Sequence, residues 1–184
     1  MPEAPLDDSG SGLAPAGDGW FVVNVRDAQW LTSEKGDKKP SGSECSFESQ
    51  QFEFPQVGIR LHVLEPDEPN GLYHSESEQE AFLVLSGECT LLVEGEDRLM
   101  RPWDFFHSPA GTEHIFVGAG EVPSVILMVG ARNAGEGLIY PRSEPAAKYG
   151  ASVEEETESA EEAYAGWKRP EPARKPWPVT GDRR

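Results

Sequence analysis

The 184-residue chain reads as an all-β protein, a sandwich or barrel of short strands. Three observations predict this. Between residues 58 and 129 the apolar runs are short and several alternate with polar residues, as half-buried strands do. Turn signals separate them, in EPDEPNG (65–71), Gly87-Glu88 and Glu94-Gly-Glu-Asp97. Hardly any helical period interrupts the pattern. Many short strands with frequent turns close most readily as a sandwich or barrel.

The elements follow in order. Residues 1–18 are rich in Pro, Gly, Ala, Ser and Asp and are expected to form a disordered tail. Structure is expected from Trp20, where WFVVNV forms a strand, with Trp30-Leu31 as a second anchor. The run SEKGDKKPSGSEC (33–45) reads as a loop. Phe47, Phe52 and Phe54 mark a return to structure, interrupted by Pro55. In Gly58–Leu64, Ile59, Leu61 and Val63 share one face, and Arg60, His62 and Leu64 the other. Strands are predicted at 72–76, 80–86, 89–94, 98–100, 104–108, 114–117 and 122–129. Beyond Gly130 the character changes. Leu138-Ile-Tyr-Pro141 is expected to pack back on the domain, 143–149 to form a helical turn, and 153–165 an acidic helix without an apolar stripe. The tail RPEPARKPWPVTGDRR is Pro-rich and reads as extended. The expected organisation is a disordered tail (1–18), a barrel (19–142) and a C-terminal extension (143–184).

Charge narrows the function. The formal net charge is −17, from 33 acids and 16 bases, which argues against a nucleic-acid partner, because phosphate contacts need a basic surface. Residues 167–184 run the other way, with six bases and two acids. Two cysteines, Cys45 and Cys89, indicate no disulfide framework and suit a reducing compartment; Cys89 is expected in the core. The N-terminus has no apolar core of a secretory signal, and no apolar stretch is long enough to span a bilayer. The expectation is a soluble cytoplasmic protein with no membrane partner.

Candidate chemistry gathers between His74 and His114. His74, Glu76 and Glu80 precede an apolar run ending at Gly87, and PAGTEHIFVGAG delivers His114 to the start of another. Two imidazoles with up to two carboxylates make a plausible divalent-metal site. Alternation turns Glu80 inward with Phe82 and Val84, pairs His74 with Glu76, and pairs His114 with Phe116. A polar mouth over an apolar floor is what a small-ligand pocket in a barrel requires.

These residues resemble the cupins, small double-stranded β-helix (jelly-roll) barrels whose first motif is usually G-x5-H-x-H-x3-4-E-x6-G. Here His74-x-Glu76-x3-Glu80-x6-Gly87 follows it, with Glu76 where the second His usually stands and Glu68 in place of the leading Gly. The second motif is usually G-x5-P-x-G-x2-H-x3-N. Pro109-x-Gly111-x2-His114 follows it, with Trp103 replacing the Gly and Gly118 the Asn. The resemblance extends over roughly residues 20–130, includes a group of bacterial cupin-domain proteins without assigned activity, and leaves out both tails. It implies a divalent metal (Fe, Mn, Ni or Zn) held by His74, Glu80 and His114. It also implies a homodimer, with the Trp20–Val25 strand available for edge pairing.

Two functional readings follow. One is a metal-binding cupin that acts on or senses a small molecule, as a dioxygenase or a sugar-type isomerase. The other is a non-catalytic ligand-binding or structural cupin without metal, motivated by the departures at Glu76, Trp103 and Gly118. In the first, Glu76 is a fourth ligand or a catalytic base, and as a ligand it favours Mn or Fe over Cu. Glu78 has the opposite parity and reads as a solvated charge. Arg60 and His62 bind substrate if their face lines the barrel, Arg60 through a carboxylate or phosphate; otherwise they are surface residues. His107 is a donor or proton shuttle near the site, or an outward histidine. Phe82, Val84 and Phe116 shape the pocket, and Tyr73 and Trp103 form its rim or pack in the core.

Overall fold

Short apolar runs broken by glycine and proline fold back on themselves at each break, and most of the strands between residues 57 and 131 arise this way. The structure, a computed structural model, describes residues 1–34, 40–132, 137–167 and 171–172. In chain order its strands are β1 (Leu6–Asp8), β2 (Leu13–Pro15), β3 (Trp30–Glu34), β4 (Pro40–Ser46), β5 (Val57–Leu64), β6 (Ser75–Glu76), β7 (Glu80–Ser86), β8 (Glu88–Val93), β9 (Glu96–Met100), β10 (Phe105–Ser108), β11 (His114–Ala119), β12 (Ser124–Ala131) and β13 (Leu138–Ile139). Two short helices, α1 (Glu144–Ala147) and α2 (Ala160–Ala163), and then β14 (Glu171–Pro172) complete it. One sheet runs β10-β7-β12-β5-β4-β3-β14, a second runs β11-β8-β9, and β13 pairs with β6. Among the described residues no helix is long and apolar enough to cross a membrane.

Strand parity creates two cores. Leu64, Phe82, Val84, Cys89, Leu91, Met100, Phe116 and Ile126 fill the barrel interior. The opposite faces of β5 and β12 present Leu61, Val63 and Val125, which pack with Ala28, Trp30 and Cys45. Burial pushes both thiols up to about 12, so Cys45 and Cys89 act as small apolar residues.

The outer core explains why the N-terminal third differs from expectation. Residues 1–18 form a hairpin, with Leu6 opposite Pro15 and Asp8 opposite Leu13. Ser11 Oγ accepts the Trp30 N–H at 3.2 Å, and Ala4, Ser11 and Ala14 are buried. Composition suggested disorder because few side chains are large, but the hairpin is held by its backbone bonds. WFVVNV is not a strand: Trp20 makes an isolated bridge to Glu3, and a turn begins at Val25. Trp20 and Val22 are exposed, while Val23 and Val25 pack on the outer core by their side chains. Residues 33–45, read as a loop, contain most of β4. Its Ser43 and Cys45 are buried opposite Val63 and Leu61. The serines and glycine disguised a strand lying between β3 and β5.

Leu138–Tyr140 packs back on the domain, as expected, and in the C-terminal extension α1 is capped by Ser143, whose Oγ accepts the Ala146 N–H. The predicted acidic helix shrinks to α2. Of the Pro-rich tail, only Glu171 and Pro172 are described, pairing with Thr32 and Leu31.

Two motif positions show what fixes the turns. Gly87 sits at φ +68°, and a Cβ there would meet Pro123 O at 2.4 Å. Gly118, which stands where the motif usually has Asn, packs so tightly that a Cβ would meet Glu65 O at 2.1 Å. Trp103 takes the opposite course, adopting φ +77° while its side chain is 75% exposed. A left-handed non-glycine residue costs about 1–2 kcal/mol. Trp103→Gly is therefore expected to leave stability unchanged or raise it by up to about 1 kcal/mol, after the entropy cost of glycine, as read by urea denaturation.

A partly buried ion pair ties the 48–54 loop to the residue that follows β12. Arg132 donates to both Glu48 oxygens, at 2.6 and 2.8 Å, and to Phe54 O at 3.1 Å. Burial works to raise the Glu48 pKa, but the Arg132 hydrogen bond, the Phe54 N–H and the Arg132 charge outweigh it and hold it below the ordinary value. Because the folded pKa is depressed, this stabilisation is complete above the usual carboxylate range and is lost as pH falls through the folded value. Glu48→Gln is expected to cost about 1.5–3 kcal/mol at pH 7. The difference from the native protein should shrink below about pH 4 in denaturant titrations at several pH values.

Candidate metal centre

The site is assembled by three segments. Glu80 opens β7, His114 opens β11, and His74 lies just before β6. His74 and His114 form a backbone bridge, with N–H···O distances of 3.2 and 2.8 Å, so the two motifs are joined at the ligand positions. Their rings lie 5.2 Å apart between centroids.

Each histidine is held by its Nδ1. That of His74 lies 2.7 Å from Leu72 O, and that of His114 lies 3.0 Å from Thr112 O. A carbonyl only accepts, so both rings carry a proton on Nδ1, and in the neutral form of each ring Nε2 turns a lone pair to the cavity. Ser108 Oγ stands 3.5 Å from His114 Nδ1, and Phe82 and Phe106 meet the His114 ring edge-on at centroid distances of 5.1 and 5.7 Å.

One ligand atom each from His74, Glu80 and His114 lies within 4.8 Å of the other two. Glu80 Oε2 is buried without a hydrogen-bond partner among the described residues and lies 3.3 Å from His114 Nε2. With the His114 proton on Nδ1, a lone pair and a carboxylate oxygen face each other. Such an arrangement is unfavourable unless a cation or a proton sits between them. The donor set therefore fits a divalent transition metal.

Glu76 stands apart. Its Oε1 is 3.7 Å from His74 Nε2, its side chain is 38% exposed, and it lies at the cavity mouth. The His74 side chain lowers the Glu76 pKa; burial opposes this, and the charges of His74 and His114 reinforce it. Burial works to lower the pKa of His74, but the Glu76 side chain, the Leu72 carbonyl and the Glu80 and Glu76 charges raise it above the ordinary value.

The cavity has a volume of about 280 Å³, and its lining includes Arg60, His62, Phe82 and Met128 besides the ligand candidates. Thus the face of β5 carrying Arg60 and His62 does turn inward. Both approach Glu44 Oε2, at 3.3 and 3.6 Å. Burial pushes the His62 pKa down, Glu44 opposing and Arg60 assisting, so His62 is neutral at pH 7. Val84 and Phe116 are fully buried beneath the cavity and form its floor rather than its wall. His107 takes the outward of its two expected placements. It is exposed, because Phe106 and Ser108 take the inward positions of β10. Tyr73 packs in a core with Ile115 and Ala151, and exposed Trp103 lies outside the cavity lining.

Sequence reasoning missed Asn70, Met128 and Arg132 in the wall. Met128 lay within the strand predicted at 122–129, but the face it shares with Gly130 was not read, and Arg132 lies past the end of that strand. Asn70 lay within a turn signal. Leu138, expected to pack back on the domain, pairs with Glu76. The supports supplied by the C-terminal extension were invisible: Tyr73 N–H donates to Ala151 O at 2.7 Å. Tyr164 Oη accepts the Leu72 N–H at 3.1 Å, while the Leu72 carbonyl holds His74. Tyr164→Phe is expected to keep the fold and weaken metal binding by about tenfold, toward the low end of what distant supports of a ligand contribute, as measured by competition with a chromophoric chelator.

Residues 60–130 match the family model of the cupin domain. The match covers 71 of the 184 residues, and the antiparallel barrel built around them is consistent with the cupin double-stranded β-helix. Among solved structures, a putative sugar phosphate isomerase from Acidithiobacillus ferrooxidans is 31% identical over 46% of this chain and 54% of its own, with a TM-score of 0.42. The chain thus spans about half the length of that protein. A sugar phosphate isomerase of the cupin superfamily from Silicibacter pomeroyi is 23% identical over 62% of this chain and 84% of its own, with a TM-score of 0.45. The DMSP lyase DddQ from Ruegeria pomeroyi is 18% identical over 53% of this chain and 50% of its own, with a TM-score of 0.45. No curated protein matches the sequence significantly.

Proposed function

We propose that the protein holds a divalent transition metal through His74 Nε2, His114 Nε2 and the Glu80 carboxylate, and acts on or senses a small molecule at the positions left open. The carrying observation is the buried Glu80 Oε2, which has no hydrogen-bond partner among the described residues and faces His114 Nε2 at 3.3 Å. Two imidazoles and one carboxylate leave coordination positions for other ligands, and the metal supplies Lewis-acid polarisation or dioxygen activation. These two chemistries correspond to isomerase and dioxygenase reactions.

The remaining roles belong to the chain. Glu76, ionised at the mouth, accepts a proton from the bound molecule. Phe82 and the floor beneath it keep water from the inner side of the cavity. Arg60 orients a bound anion.

The test is elemental analysis of protein purified without a metal-chelating tag, beside the His74→Ala/His114→Ala double variant. Near-stoichiometric iron, manganese, nickel or zinc that is lost in the variant is the expected result. An absence of metal from the unmodified protein, even after reconstitution, would favour a metal-free ligand-binding cupin.

A further inference from the structure

We infer that Asn70 and Arg60 form a carboxylate-binding pair, so that the molecule taken at the metal is a small hydroxy- or oxo-acid. The inference rests on the metal reading of the site and adds the ligand's chemical class.

Asn70 is fixed in orientation by β11. Its backbone N–H donates to Phe116 O at 3.0 Å, and its side-chain Oδ1 accepts the Phe116 N–H at 2.9 Å. A backbone N–H needs an acceptor, so the amide oxygen is committed to the strand and Nδ2 must face the other way. That direction is the cavity, where its partner among the described residues is Met128 Sδ at 3.7 Å. A thioether is a weak acceptor. The strongest donor of this side chain is thus spent on the poorest available partner.

The register of the sheet places Arg60 beside it. Met128 lies opposite Arg60 on β5 and opposite Phe82 on β7. The Asn70 amide sits over the middle of this row, and the Arg60 guanidinium, partly exposed and touching Glu44 through Nη1, stands at one end. His62 on the same face is neutral and directed at Glu44. Two sets of N–H donors therefore adjoin a metal whose open positions take oxygen. Their common match is an atom group that only accepts and carries negative charge. A planar carboxylate suits one guanidinium and one amide, and a metabolite-sized acid suits a cavity of about 280 Å³.

The experiment uses the full-length protein loaded with Mn²⁺, with metal content measured first. Glycolate and glycolamide are titrated calorimetrically. They share size and hydroxyl group and differ in the carboxylate. The informative variants are Asn70→Asp and Arg60→Met. Aspartate keeps an oxygen for the Phe116 N–H and turns the cavity-facing donor into an acceptor, so the fold is preserved while the recognition is inverted. The preference for glycolate over glycolamide is expected to fall roughly tenfold or more in each variant at full metal content. An unchanged preference in metal-loaded Asn70→Asp would overturn the proposal, as would tighter binding of inorganic phosphate than of glycolate. If the unmodified protein takes up no Mn²⁺, the metal reading fails separately. Glycolate contact is then followed on metal-free protein by saturation-transfer NMR. Binding that Asn70→Asp abolishes would still support the donor pair, and no binding would overturn it.

Discussion

Glu80→Gln is expected to do two opposite things: stabilise the metal-free protein and weaken metal binding about a hundredfold or more. Both follow from one atom. Glu80 Oε2 is buried, has no hydrogen-bond partner among the described residues and lies 3.3 Å from His114 Nε2. An unsatisfied buried polar group costs about 1–3 kcal/mol, and more when charged. A glutamine amide can donate to the His114 lone pair, so the metal-free variant should gain on the order of 1–2 kcal/mol. The same change removes the anionic ligand. At a metal concentration a hundred times its dissociation constant, the unmodified protein should gain about 2.7 kcal/mol, and the variant little. Thermal denaturation with EDTA and with added Mn²⁺ reads both effects. The order of stabilities should invert between the two conditions. If Glu80→Gln is less stable than the unmodified protein in EDTA, Glu80 is a structural carboxylate whose partner has been misread.

Phe116→Ala is expected to be the most destabilising of these changes, by about 3–5 kcal/mol. Its ring is fully buried and packs against Phe82 at a centroid distance of 4.8 Å and Phe106 at 6.2 Å. The interior that these rings fill is also the floor under His114. Collapse of the neighbours into the cavity would move the imidazole, so metal affinity should fall along with stability. Phe105→Ala is the control. That ring is 64% exposed on β10, and its loss should change stability by no more than about 0.5 kcal/mol. Urea denaturation of the two variants decides the matter. Similar costs at both positions would mean that the barrel interior is not organised around Phe116.

The central strands and the grouping of His74, Glu80 and His114 were legible because both obey local rules. Strict alternation set Glu80 and Phe82 on one face of β7, and motif spacing brought His74 and His114 into a single bridge. The same parity rule faltered on β10, where two adjacent phenylalanines, Phe105 and Phe106, hide which face is inner. Only the structure shows that Ser108 points in and His107 out. The strand β4 was missed because Ser and Gly mark loops by composition, yet Ser43 and Cys45 fit a face already covered by β5. WFVVNV failed in the opposite sense. It is apolar enough for a strand, but Val23 and Val25 cover the outer core by side chains. What no local pattern could show were contacts across long sequence separations. Tyr164 meets the Leu72 peptide from 92 residues away, and Asn70 meets Phe116 from 46.

The most direct test of the central claim is an anomalous-difference map from crystals grown with Mn²⁺ and measured at the manganese edge. The account predicts a single strong peak about 2.0–2.2 Å from His74 Nε2, His114 Nε2 and a Glu80 oxygen, with both Nδ1 atoms still on the Leu72 and Thr112 carbonyls. A cavity without a peak at saturating Mn²⁺, with Glu80 turned to a protein donor instead, would contradict it.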